Sequence, residues 1–99
     1  MQATFTRVIG SHRGEQRKFN AARISVGRAS DNMLCLGESA RRVSSHHAEI
    51  IRRGDGYLLR DLGSTNGTMV NGQRVSAVAL NPGDMIQLGT TTLTFRVDG

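Results

Sequence analysis

No stretch of this chain keeps apolar residues at i, i+3, i+4 and i+7 for three helical turns; short segments of alternating apolar and polar residues, broken by turn residues, recur along its length instead. An alternation of period two belongs to extended strands, so it argues against a helical core and asks each strand to bury one face. The clearest case is "TLTFRV", where Leu93, Phe95 and Val97 share a face predicted to be core while Thr94 and Arg96 share the other. "TFTRVI", "QRKFN", "RISVG", "HAEIIRR" and "YLLRDL" read similarly, and "MVNGQRV" and "DMIQLG" complete the set. Strands this short and this numerous predict an all-β fold in which two sheets pack as a sandwich.

The connections carry turn chemistry. Asn71-Gly72, between "TMV" and "QRV", tolerates the positive φ angles of a two-residue type I′ hairpin. Gly54-Asp55-Gly56 serves similarly between "EIIRR" and "YLLRD", which makes the Arg-Gly-Asp string at 53–55 a hairpin turn rather than an adhesion motif. Asn81-Pro82-Gly83-Asp84 is a turn in which proline fixes φ and glycine accepts the reversal.

At 99 residues the chain has room for one modest core, and we expect a single domain over residues 1–99. Its 37% hydrophobic and 21% charged content is ordinary for a globular protein. No apolar run approaches the ~20 residues that cross a bilayer, so no membrane insertion is expected. "MQATFTRVIGSHRGEQ" lacks the apolar centre of a signal peptide, and a cytoplasmic location is the expectation. Cys35 is the only cysteine, which leaves no internal disulfide, and within "MLCL" it reads as a small buried hydrophobe.

The formal net charge is +5, and all 13 basic residues but Lys18 are arginine. That bias fits bidentate contact with phosphate, and it fits equally a genome that favours arginine codons. Direct nucleic-acid binding finds little support: there is one tyrosine and no tryptophan, and neither a stacking platform nor a recognition helix is visible.

Three polar clusters fall at strand ends: Gly27-Arg28, Ser44-Ser45-His46-His47 and Ser64-Thr65-Asn66-Gly67. Loops from strands distant in sequence gather at one end of a sandwich, so the clusters can form one site. Arg28 offers a bidentate cation, Ser44, Ser45 and Thr65 offer hydroxyl donors, and glycine-flanked loops expose backbone N–H groups, which together describe a phosphate cradle. Adjacent histidines on a strand point to opposite faces and no further ligand accompanies them, so no metal is expected, nor any other cofactor. A hydrolase would set Ser44 or Ser45 with His47 and Asp61, but no nucleophile-elbow pattern is present and no enzymatic activity is expected.

"ISVGR", "SDNMLCL", "VSSHHAEI", "LRDLGSTNGTMVNG" and "LNPGDMIQLG", in that order from about Ile24 to Val97, resemble a forkhead-associated (FHA) domain, a phosphothreonine-peptide binding module. The resemblance implies an eleven-stranded sandwich of two twisted, mainly antiparallel sheets with ligand loops at one end. It also implies that Arg28 and Ser44 contact the phosphate, that Thr65 adds a further contact, and that Asn66 holds the main chain of the bound peptide. Gly27 and His47 resemble the family's structural pair, the histidine bracing the loop that presents Ser44, and Gly67 is expected to permit the backbone angles of the Thr65-Asn66 loop and close approach of the peptide. Ser45 stands among the phosphate contacts where many members carry a longer Arg or Asn donor. Arg42 resembles a basic residue that reads the third position after the phosphothreonine, although the stretch from Gly37 to Arg42 looks longer than the family pattern. The implied partner is a protein phosphorylated on threonine by an upstream Ser/Thr kinase; a phosphate-independent interaction module on the same fold is the alternative.

Overall fold

The computed structural model describes residues 1–98 and contains eleven strands and no helix. They are β1 (Gln2–Ile9), β2 (Gln16–Phe19), β3 (Arg23–Gly27), β4 (Leu34–Cys35), β5 (Ala48–Arg53), β6 (Gly56–Asp61), β7 (Thr68–Val70), β8 (Gln73–Val75), β9 (Ala77–Leu80), β10 (Met85–Leu88) and β11 (Thr91–Asp98). A six-stranded sheet runs β2-β1-β11-β10-β7-β8, and a five-stranded sheet runs β4-β3-β5-β6-β9. Among the described residues only the β3–β4 pairing is parallel, because the chain leaves β3 through a short loop and returns beside it in the same direction. The expected all-β sandwich is the architecture observed.

The core forms where the inward faces of the two sheets meet. Ile24, Val26, Ile50, Tyr57 and Leu59 come from one sheet, Phe5, Ile86, Leu88, Leu93 and Phe95 from the other, and all are buried. Aromatic rings stitch the layers: Phe95 lies 5.6 Å from Phe5 and meets Tyr57 of the opposite sheet edge-on at 5.7 Å, a geometry that adds to area burial. Val97 keeps the face predicted for it but is only half buried, being near the strand's end. Cys35 departs from its predicted burial. It is half buried on the edge strand β4, and its thiol donates to the Arg28 carbonyl at 3.5 Å.

Glu49 is a buried charge that lies outside the core. It points to the outer face of β5, fully covered by Arg23 and Arg60, both of which hydrogen-bond its carboxylate. Burial pushes its carboxyl up, but the two guanidinium bonds outweigh that and hold it below the usual glutamate value.

The turns behave as the sequence suggests. Asn71 and Gly72 both take positive φ, at 50° and 83°, and the Asn71 amide also ties this hairpin to the β9–β10 turn through Asp84 at 2.9 Å. At the opposite end of the sandwich gather the β3–β4 loop (residues 28–33), the β4–β5 loop (36–47), the β6–β7 loop (62–67), the β10–β11 turn and the β1–β2 loop, as the strand pairings require.

Candidate functional site

Every site residue predicted from the sequence lies on or beside the loops of that one end, and hydrogen bonds join them. Arg28 follows the last residue of β3; its main-chain N–H donates to the Ser44 carbonyl at 3.0 Å and its Nη2 to Ser45 Oγ at 3.3 Å. Ser44 Oγ accepts the Thr65 main-chain N–H at 3.1 Å, and Asn66 Nδ2 donates to the Arg42 carbonyl at 3.1 Å. The Arg28, Ser44 and Thr65 loops are thus joined, and Asn66 is tied to the Arg42 end of the same β4–β5 loop.

Two buried side chains fix the arrangement. The first is His47, fully buried, whose Nδ1 accepts the Ser44 main-chain N–H at 3.0 Å and whose Nε2 lies 2.9 Å from the Gly67 carbonyl. Because a main-chain N–H is a donor only, Nδ1 must be the bare nitrogen, which places the proton on Nε2, donating to Gly67. One imidazole therefore braces both the Ser44 and the Thr65-Asn66 loops. Asn32 is the second: its Nδ2 donates to the carbonyls of Ala29 and Ser45, at 2.8 and 2.7 Å, and clamps the β3–β4 loop to the serine loop.

The glycines serve different purposes. Gly27 has ordinary backbone angles, but a Cβ there would stand 2.2 Å from the Ser45 carbonyl oxygen and 2.8 Å from Asn32 Nδ2, so only glycine lets the serine loop lie against β3. Gly67 takes a φ of 83°, as the loop requires; the group packed over it is the Arg74 guanidinium, 2.7 Å from where a Cβ would be.

Asp61, at the end of β6, organises the third loop. Its carboxylate accepts the main-chain N–H groups of Gly63 and Ser64 and the hydroxyls of Ser64 and Thr68 at 2.6–3.0 Å. Burial pushes its carboxyl up, yet these four donors outweigh burial and hold it below the usual aspartate value. Its oxygen is 3.9 Å from His47 Nε2, but the arrangement is not that of a hydrolase: His47 takes the main-chain N–H of Ser44 rather than its hydroxyl. On the rim, His46 lies 2.9 Å from both oxygens of Asp31, and that hydrogen bond lowers the Asp31 carboxyl.

Arg42 takes a φ of 64° and, with Asn66, Gly67, Met69, Gln87 and Gly89, lines a shallow pocket of about 160 Å³ beside the site. The sequence analysis gave no role to Asn32, Glu38, Gly89 or Asp61 as loop organiser. Glu38 Oε2 accepts from Arg28 Nη1 at 3.1 Å. Asn32 and Asp61 had a signal in their places just after one strand and at the end of another, where short acceptors commonly bond loop backbone, and Gly89, with a φ of 57°, had one as the glycine that closes "DMIQLG"; Glu38 had none.

A β-sandwich whose end loops converge an arginine, hydroxyls and an amide on one rim is a binding module in form. The chain matches the FHA domain family over residues 24–89, and it belongs to that family. It is 41% identical over 90 residues to the transcriptional regulatory protein EmbR of Mycobacterium tuberculosis, covering 90% of this chain and 22% of that protein. This chain therefore spans about a fifth of the length of such relatives. Among solved structures, EmbR of M. tuberculosis in complex with a low-affinity phosphopeptide superposes with a TM-score of 0.87 at 34% identity, over 99% of this chain and 25% of that one. An FHA domain from a structural and functional analysis of phosphothreonine-dependent FHA interactions gives 0.87 at 31% identity, over 100% of this chain and 99% of that one.

Proposed function

We propose that this domain binds segments of partner proteins phosphorylated on threonine, with Arg28, Ser44, Ser45 and Thr65 receiving the phosphate and Asn66 and Arg42 the flanking peptide. The observation that carries this reading is the bonded cluster itself: three loops far apart in sequence are braced through His47 and Asn32 so that one guanidinium and the Ser44 and Ser45 hydroxyls share a rim. A phosphate carries close to two negative charges at neutral pH and three acceptor oxygens. Donors fixed before binding meet it without the ordering cost that mobile side chains incur. FHA domains are binding modules, and recognition rather than catalysis is the function here.

An upstream Ser/Thr kinase supplies the ligand, and residues 1–99 act as one recruiting domain in the cytoplasm. Among the described residues no helix is long and apolar enough to cross a membrane. The threonine methyl adds roughly 1 kcal/mol of preference over phosphoserine where it is buried. Amide chemical-shift mapping with degenerate phosphothreonine, phosphoserine and unphosphorylated peptide pools tests the reading. Shifts confined to residues 28–33, 42–47 and 63–68 and given by the phosphorylated pools support it; shifts elsewhere, or alike for all pools, refute it.

A further inference from the structure

Arg28 already holds an anion in the free domain. Its Nε donates to the Val43 carbonyl at 3.1 Å, its Nη2 to Ser45 Oγ, and its Nη1 to Glu38 Oε2 at 3.1 Å. The first two bonds aim the guanidinium, whereas the third sets a carboxylate against the edge that remains open to solvent.

Glu38 is highly exposed, but the turn that carries it is held on both sides. Leu36 and Ala40 are buried in the core cluster, and Ala40 N–H closes the turn on the Gly37 carbonyl at 3.0 Å. Ser39 Oγ meets Ser11 Oγ of the β1–β2 loop at 2.9 Å, and the Arg41 carbonyl accepts both the N–H and the hydroxyl of Thr90 at 3.1 Å. The stretch from Gly37 to Arg42 is therefore a fixed arm that keeps a carboxylate within reach of Arg28.

We propose that Glu38 is a built-in competitor for the phosphate site, an anion that the ligand phosphate must displace from Arg28. This rests on the phosphothreonine reading above. The ligand phosphate must take the Glu38 position on Nη1, where its greater charge and three acceptor oxygens let it win the exchange, or settle beside a like charge, and either course costs affinity. Glu38 thus lowers affinity for every anion that reaches Arg28 by the same factor, and sets the strength of binding rather than the choice among anions. The other carboxylate on the rim, Asp31, is held by His46 and leaves Arg28 to Glu38.

The test compares wild type with Glu38→Gln, an exposed substitution that leaves the fold intact. Calorimetry with a degenerate phosphothreonine pool, an unphosphorylated pool and a pool carrying glutamate in place of phosphothreonine is paired with the Arg28 Nε–Hε resonance in phosphate-free buffer. Since an exposed pair of this kind is worth up to ~1 kcal/mol, the variant should bind the phosphothreonine pool about two- to fivefold more tightly, and any binding of the glutamate pool should rise by no more than the same factor. Its free-state Arg28 resonance should shift. Equal or weaker phosphate-dependent binding by the variant, or an unmoved resonance, overturns the competitor and leaves the binding reading standing. If neither protein distinguishes the phosphothreonine pool from the unphosphorylated one, that reading fails and the competitor falls with it.

Discussion

Ser44 Oγ accepts the main-chain N–H of Thr65 at 3.1 Å. A serine hydroxyl has one proton to give, and here a lone pair is occupied by the neighbouring loop, so the proton is left to point outward toward an arriving oxygen. The same contact holds the two loops in register. Ser44→Ala removes a donor to the phosphate and the brace on Thr65 together, and phosphothreonine-peptide affinity should fall by about tenfold or more, the loss of one charge-assisted bond. Titration of the folded variant checks this; a change of under twofold would separate Ser44 from the site.

Gly27→Ala tests close approach rather than backbone freedom. The added methyl overlaps the Ser45 carbonyl oxygen, so the serine loop has to move off β3. We expect a loss of about 1–3 kcal/mol in stability, as for other overpacked sites, measured as a lower urea midpoint at constant slope. Binding should weaken as well, because the loop that moves carries Ser44 and Ser45.

His47→Ala leaves the Ser44 N–H and the Gly67 carbonyl without their common partner and opens a void where a fully buried ring stood. A cost of about 3 kcal/mol follows from two lost buried bonds and the cavity. Thermal unfolding reads it, and a loss below about 1 kcal/mol would mean that the loops hold each other without the imidazole.

Acid should loosen the third loop. Against the upward push of burial, hydrogen bonds hold the Asp61 carboxyl below the usual aspartate value, so the folded state binds its proton less readily than the unfolded chain. The stability this contributes is whole above about pH 4 and is lost as pH falls through the folded value. Asp61→Asn should be less stable than wild type at neutral pH, with the gap closing below pH 4. Glu49 is lowered in the same sense, so the variant keeps a residual acid limb. Urea midpoints from pH 7 to pH 3 check the sign, and a gap that widens in acid would contradict it.

Much of the fold is legible before any coordinates, because alternation reports directly which face of a strand is buried. Leu93 and Phe95 are core for that reason. The strands that alternation does not reveal are β4 and β9: two residues at Leu34–Cys35 cannot show a period, and "AVAL" is apolar on both faces. The cluster of site residues is legible because each sits where a strand ends. What holds the cluster is not: the bonds from His47 to Gly67 and from Asn32 to Ser45 join residues 20 and 13 positions apart, and only the packing of the sheets brings them together. Glu38 is the furthest from view, since nothing about an exposed glutamate in a polar loop says which arginine it faces.

Calorimetric titration of the wild-type domain and Arg28→Ala with degenerate phosphothreonine, phosphoserine and unphosphorylated peptide pools tests the phosphate-binding role most directly. Arg28 is partly exposed and outside the core, so the variant should fold. Binding of the phosphothreonine pool by wild type, weakened at least ~2 kcal/mol or about thirtyfold in the variant, is the predicted result. Equal binding of all three pools, or affinity unchanged by the loss of Arg28, would contradict it and point to an interaction module that does not depend on phosphate.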